Sequence, residues 1–441
     1  MLEGRVWVRH PNLKRDETQT GKFMTADLDL SLSLMDQVLE KENLRRAFNQ
    51  VVRNKGAPGI DGMPVGHLEN HLRNHWPMLR QSLLDGTYRP KPVKRVEIPK
   101  GDGTYRSLGI PTVIDRFVQQ AIAQVVSALW EPHFHSSSFG FRPERSAHHA
   151  VKYVQTLQRE GCEWVVDLDL KSFFDEVNHD RLMARLKTRI DDKILLRLIN
   201  KFLRAGIIAN GVMLRSEKGV PQGGPLSPIL SNIVLDELDW ELECRGHKFA
   251  RYADDCNIMV KSKTAGERVM KSIRLFLETT LRLRVNDQKS AVDRPSKRKF
   301  LGFTFSAHSQ RIKVSDKSLS RLQDKVRSIT CRVRGHAIET VIAELNRYLL
   351  GWKAYFDLSE VVSPLRDMDK WIRRKLRCYL WKQWGSSGYR KLRRLGVSVV
   401  LAWNTSKSAH GPWRLSKSPA LTQALPTKYF RGLGLPELAA R

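Results

Sequence analysis

The sequence is poor in cysteine and contains no long apolar run. Its 441 residues include five cysteines, which are scattered and form no C-x-x-C pair, so neither a disulfide framework nor a cysteine-based zinc site is predicted. This pattern fits a reducing compartment best. No stretch approaches the roughly 18 unbroken apolar residues that a membrane span needs, and the N-terminus has no apolar core of signal-peptide length. We therefore expect a soluble, cytoplasmic protein.

Acidic residues are scarce relative to basic ones. Lysine and arginine number 76 against 46 aspartates and glutamates, a formal net charge of +30 that argues against a neutral metabolic enzyme. Residues 311–441 hold 27 basic and 9 acidic residues, so this third of the chain carries +18 of the total. Basic runs are often merely solvated, but an excess this large favours a polyanion partner, because lysine and arginine displace condensed counterions from phosphates. A membrane surface is the weaker alternative, since no amphipathic segment stands apart.

Hydrophobic spacing predicts a mixture of helices and strands. Apolar residues recur every three or four positions from Leu34 to Val51 and from Val113 to Trp130, which predicts helices. Residues 95–111 alternate around a Gly-Asp-Gly sequence, as in a hairpin. Two strand-like pieces, residues 163–170 and 248–260, are separated by helices. The mixture indicates an α+β domain with carboxylates on its sheet.

Two pairs of carboxylates lie within these strands. In VVDLDL, the period-two alternation of a strand puts Asp167 and Asp169 on one face and apolar residues on the other. In RYADDCNIMV, Asp254 and Asp255 lie between two apolar halves, where a tight hairpin is the natural geometry. A lone aspartate in a turn usually only caps or solvates it. Adjacent like charges in a partly buried turn are costly unless one protonates or a cation neutralises them.

A pair of divalent cations would remove that cost. Two cations held by three carboxylates offset the repulsion, activate an attacking hydroxyl and stabilise a leaving phosphate oxygen. The strands therefore predict two-metal nucleotidyl transfer.

Eight motifs follow one another between about Leu34 and Trp384. They are KGAPGIDG, RVEIPKGDGTYRSLGIPTVIDRFVQQAI, SSFGFRPERSAHHAV, VVDLDLKSFFDEVNHDRL, GVPQGGPLSPILSNIVLDELD, FARYADDCNIMV, LRVNDQKS and KFLGFTF. In this order they resemble the group II intron-encoded reverse transcriptases/maturases. The resemblance implies an α+β fold with the right-hand architecture of fingers, palm and thumb, followed by a helical maturase domain called X. It also implies an RNA-directed DNA polymerase that uses two Mg²⁺ ions.

The resemblance assigns the carboxylates their roles. Asp169, Asp254 and Asp255 are then the catalytic, metal-binding residues. Asp169 is chosen over Asp167 because Phe174 follows it at the family's spacing. Phe174 matches the aromatic position that would clash with a ribose 2′-OH and so favour dNTPs. The alternative interpretation of Phe174 is an ordinary core phenylalanine.

Further residues are placed around the nucleotide by the same resemblance. Gln222 lies against the incoming nucleotide and the template base. Lys100 and Arg106, on either side of the Gly-Asp-Gly turn, contact the triphosphate through the charge-assisted hydrogen bonds that phosphoryl transfer uses. Lys289 is assigned as a proton donor to pyrophosphate. The alternative for such basic residues is that they are simply solvated.

Three other features are given structural interpretations. In PQGGPLSP, Gly223 and Gly224 permit close backbone approach, and Ser227 is predicted as the N-cap of the next helix. A Gly-Gly-Pro turn needs no ligand to explain it. His179 is interpreted as a structural residue at a helix start. HLENHLRNH repeats a histidine every fourth residue, for which a polar helix face is preferred over a metal site.

Four segments are predicted along the chain. They are an N-terminal extension that is partly disordered (1–33), fingers and palm (34–306), helical thumb and domain X (307–385), and a basic C-terminal tail (386–441). In domain X, intron RNA is predicted to bind a basic cluster formed by Arg373, Arg374, Lys375 and Arg377, with aromatic residues available to stack on unpaired bases. For most of the tryptophans, helix packing is the preferred alternative. No H-N-H arrangement, the signature of an endonuclease domain, follows domain X. In this the sequence resembles a bacterial lineage of the family that lacks an endonuclease.

The resemblance also implies partners and a biological role. We expect the protein to bind its group II intron RNA, target DNA, a primer and dNTPs, and to support splicing and mobility within a bacterial ribonucleoprotein. One alternative is an RNA-binding splicing cofactor without important polymerase activity, against which the intact set of aspartates argues. Another is a domesticated reverse transcriptase in phage defence, against which the basic helical region and tail count.

Overall fold

The structure is a computed structural model that describes residues 33–99, 105–209, 212–214 and 217–440, without the side chains of Arg106, Ala209 and Arg332. The described residues fall into two compact units, 33–298 and 299–440. The predicted N-terminal extension lies outside the described residues apart from Ser33. Among the helices that are described, none is long and apolar enough to cross a membrane.

The first unit mixes helices and strands, as expected for an α+β fold. Its α-helices are α1 (Leu34–Val38), α2 (Lys41–Asn54), α3 (Leu68–Leu84), α4 (Val113–Trp130), α5 (Ala147–Arg159), α6 (Phe173–Glu176), α7 (His179–Lys187), α8 (Lys193–Leu203), α9 (Ser227–Cys244) and α10 (Lys263–Phe276). Its strands are β1 (Val93–Pro99), β2 (Tyr105–Ile110), β3 (Trp164–Leu168), β4 (Ile207–Ala209), β5 (Val212–Leu214), β6 (Lys248–Tyr252), β7 (Asp255–Val260) and β8 (Ala291–Asp293).

A single helix was predicted from Leu34 to Val51, but the structure has two helices, α1 and α2, with a break between them. The prediction of one continuous helix was therefore wrong. The chain leaves helical geometry at Glu40, whose φ and ψ of −63° and 137° are extended. The buried side chain of Asn43 donates a hydrogen bond of 2.9 Å to the carbonyl of Val38. This bond satisfies a carbonyl at the end of α1 and so stabilises the break.

The prediction for α4 is confirmed at both ends. The hydroxyl of Thr112 accepts a hydrogen bond from the backbone N–H of Asp115, as an N-cap does. Nearly every residue of α4 is buried, and Ile122 is completely so. This helix contributes many residues to the hydrophobic core of the first unit.

The described strands of the first unit form two sheets. The first has the order β2-β1-β4-β5, in which β1 and β2 pair antiparallel as the predicted hairpin requires. The turn of that hairpin, residues 100–104, lies outside the described residues. The second sheet has the order β6-β7-β3-β8, in which β7 pairs antiparallel with both β6 and β3. The two predicted strand segments therefore meet in the second sheet.

The second unit begins with a short hairpin and continues as helices. Its strands are β9 (Phe303–Phe305) and β10 (Ile312–Val314), and its helices are α11 (Asp316–Ile329), α12 (Ile338–Phe356), α13 (Ser363–Trp384), α14 (Gly388–Arg394), α15 (Val399–Lys407), α16 (Pro412–Leu415), α17 (Pro419–Ala424) and α18 (Thr427–Gly432). The hairpin belongs to this unit because the Phe303 ring packs on Tyr355 and Phe356, with centroids 5.7 and 5.1 Å apart. The two units consequently divide before Lys299, whereas the sequence placed a domain boundary near Ala307.

The predicted C-terminal tail consists of short helices, of which α14 and α16 pack on α13 and α15 and α17 pack on each other. Phe430 and Leu421 are completely buried. The carboxylate of Asp369 in α13 accepts hydrogen bonds from the backbone N–H groups of Leu438 and Ala439, at 2.9 and 3.0 Å. The described part of this segment is therefore folded as part of the second unit.

Candidate active site

The three predicted catalytic aspartates lie at one edge of the second sheet. In the antiparallel pair of β3 and β7, the last residues in register are Leu168 and Cys256. Asp169 follows the first of these and Asp255 precedes the second, so the two aspartates adjoin the same end of the pair. Asp254 lies in the two-residue turn between β6 and β7. The fold thus brings Asp169 to the same sheet edge as Asp254 and Asp255, which lie more than eighty positions later in the sequence.

Alternation along β3 separates the aspartates from the core, as predicted. Val166 and Leu168 are buried, whereas Asp167 and Asp169 are half-buried. The carboxylate of Asp167 lies 2.6 Å from the guanidinium of Arg298. Asp169 has no comparably close ion pair among the described contacts, since the Lys289 ammonium is 4.0 Å from its Oδ2. The two aspartates therefore have different environments on the same face.

The loop that carries Lys289 is fixed to the backbone of Asp169. The backbone N–H of Asn286 donates to the Asp169 carbonyl at 2.9 Å. The backbone N–H of Asp169 in turn donates to the hydroxyl of Ser290 at 3.0 Å. These bonds bring Lys289 to the carboxylate edge, and they give the NDQKS motif a positioning function that its sequence did not predict.

The chemistry of the carboxylate edge fits a hard divalent cation. Carboxylate oxygens are the ligands that Mg²⁺ prefers, and Asp254 and Asp255 are half-buried and exposed, respectively. Over the described residues, however, no group of three or more His, Cys, Asp or Glu side chains is arranged to hold a metal ion. The donor types and their common edge fit the cation, although the described side chains do not form a closed set of ligands.

A buried polar network holds the acidic turn in place. Arg251, the residue before Tyr252, is completely buried, and its Nε donates to Oδ1 of the equally buried Asp239 at 2.6 Å. Its Nη1 donates to the carbonyl of Ala253 at 2.9 Å, within the turn itself. Further bonds reach the Ser138 hydroxyl at 2.8 Å and the Asn232 side-chain carbonyl at 3.1 Å. Arg251 therefore connects the turn to α9 and to the segment before α5.

The SSFGF segment packs directly under the same turn. The backbone N–H of Phe139 donates to the Arg251 carbonyl at 2.8 Å, and Asn232 donates to the carbonyl of Gly140 at 2.8 Å. A Cβ atom added to Gly140 would lie 2.3 Å from the backbone nitrogen of Ala253. Since that distance is far inside van der Waals contact, only glycine fits here. The motif was recognised in the sequence, but its contact with the turn could not be.

The PQGG loop contains close backbone approaches, as its glycines predict. Gly223 has a φ of 118°, and a Cβ there would lie 2.7 Å from the Gly109 carbonyl oxygen. The backbone N–H of Gly109 donates to the Gln222 carbonyl at 2.7 Å, which joins the loop to β2. The predicted cap was wrong by one residue, because Leu226 is the N-cap and Ser227 begins α9. The Ser227 hydroxyl instead donates to the Pro221 carbonyl at 2.6 Å and closes the loop.

Phe174 belongs to the hydrophobic core of the first unit. Its exposed fraction is 8%, and its ring meets Phe173 edge-on with centroids 5.2 Å apart. Its carbonyl accepts a hydrogen bond of 2.6 Å from the N–H of Val220, two residues before Gln222. Phe174 is thus packed as a core residue and tied to the PQGG loop. Its role in excluding ribonucleotides stays a prediction.

The two predicted triphosphate contacts are largely outside the described structure. Lys100 is not described, and Arg106 is described only as a backbone position that pairs with Ile98 in the first sheet.

His179 has the structural environment that the sequence suggested. It is the first residue of α7, it is buried, and its Nε2–H donates to the Gly219 carbonyl at 2.7 Å. Burial lowers its pKa below the ordinary value of 6.5. In α3, the rings of His71 and His75 stack with centroids 4.4 Å apart.

The basic cluster predicted to bind RNA lies in α13, and all four side chains are half-buried. Arg374 donates to the Trp413 carbonyl at 3.1 Å, and Arg377 donates to the Leu425 carbonyl at 3.0 Å. Burial also lowers the pKa of Arg377. Two of the four residues therefore hold the C-terminal helices to α13, whatever else they contact.

Comparison with known proteins gives two family matches. Residues 98–305 match the family described as reverse transcriptase (RNA-dependent DNA polymerase), and residues 319–396 match the group II intron, maturase-specific domain. Protein YkfC of Escherichia coli (strain K12) is 36% identical over 316 residues, which are 62% of this chain and 82% of YkfC. Group II intron-encoded protein LtrA of Lactococcus lactis subsp. cremoris is 31% identical over 364 residues, which cover 64% of this chain and 60% of LtrA. The chain thus spans about three fifths of LtrA.

A solved structure is also similar. A chain of the "Partial Cas6-RT-Cas1--Cas2 complex" is 22% identical and covers 62% of this chain and 47% of that chain, with a TM-score of 0.36. At that TM-score the likeness adds nothing to the assignment.

The domain matched by residues 98–305 is that of an RNA-directed DNA polymerase, so the class of protein is a reverse transcriptase. With the maturase-specific match behind it, the chain belongs to the group II intron-encoded reverse transcriptases/maturases. The expected family, enzyme class and fold class are therefore confirmed. The maturase-specific domain implies intron RNA as a partner, and reverse transcriptases in general use divalent metal ions.

Proposed function

We propose that this chain copies RNA into DNA at the carboxylate edge of its second sheet, and that it binds its own group II intron RNA and supports that intron's splicing and mobility. The observation that carries the proposal is the convergence of Asp169, Asp254 and Asp255 at one end of β3 and β7. The domain order matches that interpretation, with a reverse transcriptase match followed by a maturase-specific match.

In this proposal Asp169, Asp254 and Asp255 hold two Mg²⁺ ions. Such ions, when bound, supply Lewis-acid activation of the primer 3′-hydroxyl and neutralise charge on the phosphates. Other residues of the chain hold the three aspartates in position. Arg251 fixes the turn that presents Asp254 and Asp255, and Ser290 fixes the backbone at Asp169.

The remaining active-site residues act on the nucleotide. We assign Lys289, whose ammonium is 4.0 Å from Asp169 and 60% exposed, the role of giving a proton to the leaving pyrophosphate. Gln222 contacts the incoming nucleotide from the PQGG loop. Lys100 and Arg106 bind the triphosphate, and Phe174 excludes a ribose 2′-hydroxyl.

Charge supports intron RNA binding by the helical unit. Residues 311–441 carry a net +18, and each phosphate neutralised by lysine or arginine releases counterions and makes affinity fall with salt. In the basic cluster, Arg374 and Arg377 donate hydrogen bonds to backbone carbonyls of the C-terminal helices, whereas Arg373 makes no such bond among the described contacts. We therefore assign more of the RNA contact to Arg373.

Splicing and polymerisation can be separated in one experiment. The full chain is purified with the intron RNA that flanks its reading frame, and splicing and cDNA synthesis are measured in parallel for the wild type and for the paired Asp254→Ala and Asp255→Ala substitutions. We expect the paired variant to lose cDNA synthesis and to keep splicing, because the ribozyme does the splicing chemistry. Equal cDNA yields would reject the polymerase site, and wild-type protein that does not stimulate splicing would reject the maturase role.

A further inference from the structure

Cationic and aromatic side chains alternate across one surface of the second unit. The guanidinium carbon of Arg327 lies 5.6 Å from the ring centroid of Trp371, and the Lys375 ammonium lies 5.7 Å from the same ring. That ammonium is also 5.2 Å from the Trp413 ring, over which the Arg374 guanidinium lies at 3.7 Å. We call these five residues the cation–aromatic stack. It joins α11, α13 and α16.

A cavity of about 140 Å³ opens beside this stack. It is lined by Thr330, Lys375, Cys378, Tyr379 and Trp413. A cavity of roughly 150 Å³ is known to admit one benzene ring, so this cavity has room for one planar ring. The cavity is open to solvent, and Trp413 in its wall is 39% exposed.

The wall of the cavity is preorganised. Arg374 donates to the Trp413 carbonyl at 3.1 Å and to the Ser416 hydroxyl at 3.3 Å, which fixes the short helix that carries the tryptophan. The hydroxyl of Tyr379 donates to the His336 carbonyl at 2.6 Å, which fixes the second ring. A rigid wall loses little conformational entropy when a ligand binds.

We propose that this cavity binds one unpaired nucleobase of RNA, stacked against Trp413 with Lys375 close to the adjoining phosphate. The inference rests on the proposed function, because it presumes that the helical unit binds RNA. Bases in an A-form duplex are stacked on one another and show only their edges, so a cavity for one ring selects a base that is splayed out. Stacking on an aromatic ring tolerates any base, and neighbouring cations hold the backbone. One ring fills the available volume, which favours a pyrimidine.

The test compares tryptophan variants of the full chain for binding to a short fluorescent oligouridylate. Trp413→Ala should weaken binding about 5- to 150-fold, the range for one stacked base. Trp413→Phe should recover most of the affinity, and neither variant should change the salt slope, because no phosphate contact is removed. The matched control is Trp403→Ala, since Trp403 is also exposed and lies 5.0 Å from the Lys407 ammonium but outside the cavity. Its affinity should equal that of the wild type.

A second measurement uses the wild-type chain, so it remains informative if Trp413→Ala folds poorly. Oligouridylate containing 5-iodouridine, photo-crosslinked to the wild-type chain, should attach at Trp413 or Tyr379. Cross-links found only elsewhere would overturn the proposal, as would equal affinities for Trp413→Ala and wild type. Each of these results leaves RNA binding intact. A wild-type chain that binds no RNA would instead reject the proposed function itself.

Discussion

Replacing Asp239 with asparagine tests how the acidic turn is held. Asp239 and Arg251 are both completely buried and are joined by charge-assisted hydrogen bonds, one of them 2.6 Å long. Asparagine keeps the shape of the side chain but leaves the Arg251 charge uncompensated. Removing one partner of a buried ion pair costs about 3–5 kcal/mol. At about 2–4 °C per kcal/mol for a domain of 150–250 residues, the unfolding midpoint of the first unit should fall by about 6–20 °C.

The assay is thermal unfolding of the full chain followed by circular dichroism, with primer extension measured at a temperature where wild type and variant are both folded. An exposed pair supplies the matched control. Lys263 and Glu267 are 59% and 58% exposed, so Glu267→Gln should cost at most about 1 kcal/mol. A midpoint for Asp239→Asn no lower than that for Glu267→Gln would refute the reasoning.

A double variant then separates stability from catalysis. Arg251→Met with Asp239→Leu removes both charges, and replacing a buried pair with apolar residues is often neutral or stabilising. We expect stability to return only in part, because the Ala253 carbonyl, the Ser138 hydroxyl and the Asn232 side-chain carbonyl all lose the donor that Arg251 supplies. Primer extension should stay low, because methionine cannot donate to the Ala253 carbonyl in the turn. Full activity in the double variant would show that the turn needs no such donor.

Three further predictions follow from individual contacts. Burial lowers the folded-state pKa of His179 below 6.5, so its contribution to stability is complete above pH 6.5 and is lost as the pH falls through the lowered pKa. The free energy of unfolding of His179→Gln, measured in urea, should therefore depend less on pH over this range than that of the wild type. Identical pH profiles would contradict this. Gly140→Ala should reduce primer extension sharply, because the added Cβ would lie 2.3 Å from the Ala253 nitrogen, and normal cDNA yield would show that the turn can move. Phe174→Val should raise the ratio of rNTP to dNTP incorporation, whereas a loss of stability without a changed ratio would leave Phe174 as packing alone.

Much of the carboxylate edge follows from local sequence patterns. The alternation of β3 is visible in six residues, and the hairpin of β6 and β7 follows from two apolar halves around Asp254 and Asp255. Both patterns are local, so spacing along the chain reveals them. Spacing alone cannot show that the strand before Asp169 lies beside the strand that begins at Asp255. The family resemblance predicts this, and in the structure the two segments are the hydrogen-bonded strands β3 and β7.

Long-range polar contacts could not be predicted in the same way. Arg251 reaches Ser138, which is 113 positions away, and no local period signals such a bond. A basic residue in a strand is ordinarily exposed, so its complete burial is a tertiary effect. The same limit applies to Arg377, which looked like a surface charge and instead donates to the Leu425 carbonyl.

Boundaries also depended on tertiary contacts. The side chain of Asn43 ends α1 by bonding the Val38 carbonyl, although the hydrophobic period runs on without a break. Ser227 has the side chain of an N-cap, yet its hydroxyl is bonded to the Pro221 carbonyl and the helix begins one residue earlier than a cap would place it. Local propensity shows where a helix can begin or end, and tertiary hydrogen bonds determine where it does.

Primer extension on an RNA template by three single variants tests the central claim most directly. Asp169→Asn and Asp255→Asn each remove one charge at the carboxylate edge, and Asp316→Asn does the same at an exposed site of the second unit, where the only described ion-pair partner is Lys313. If the carboxylates of Asp169 and Asp255 form the polymerase site, the first two variants make no cDNA above background and Asp316→Asn makes as much as wild type. Undiminished cDNA synthesis by Asp169→Asn and Asp255→Asn would contradict the account.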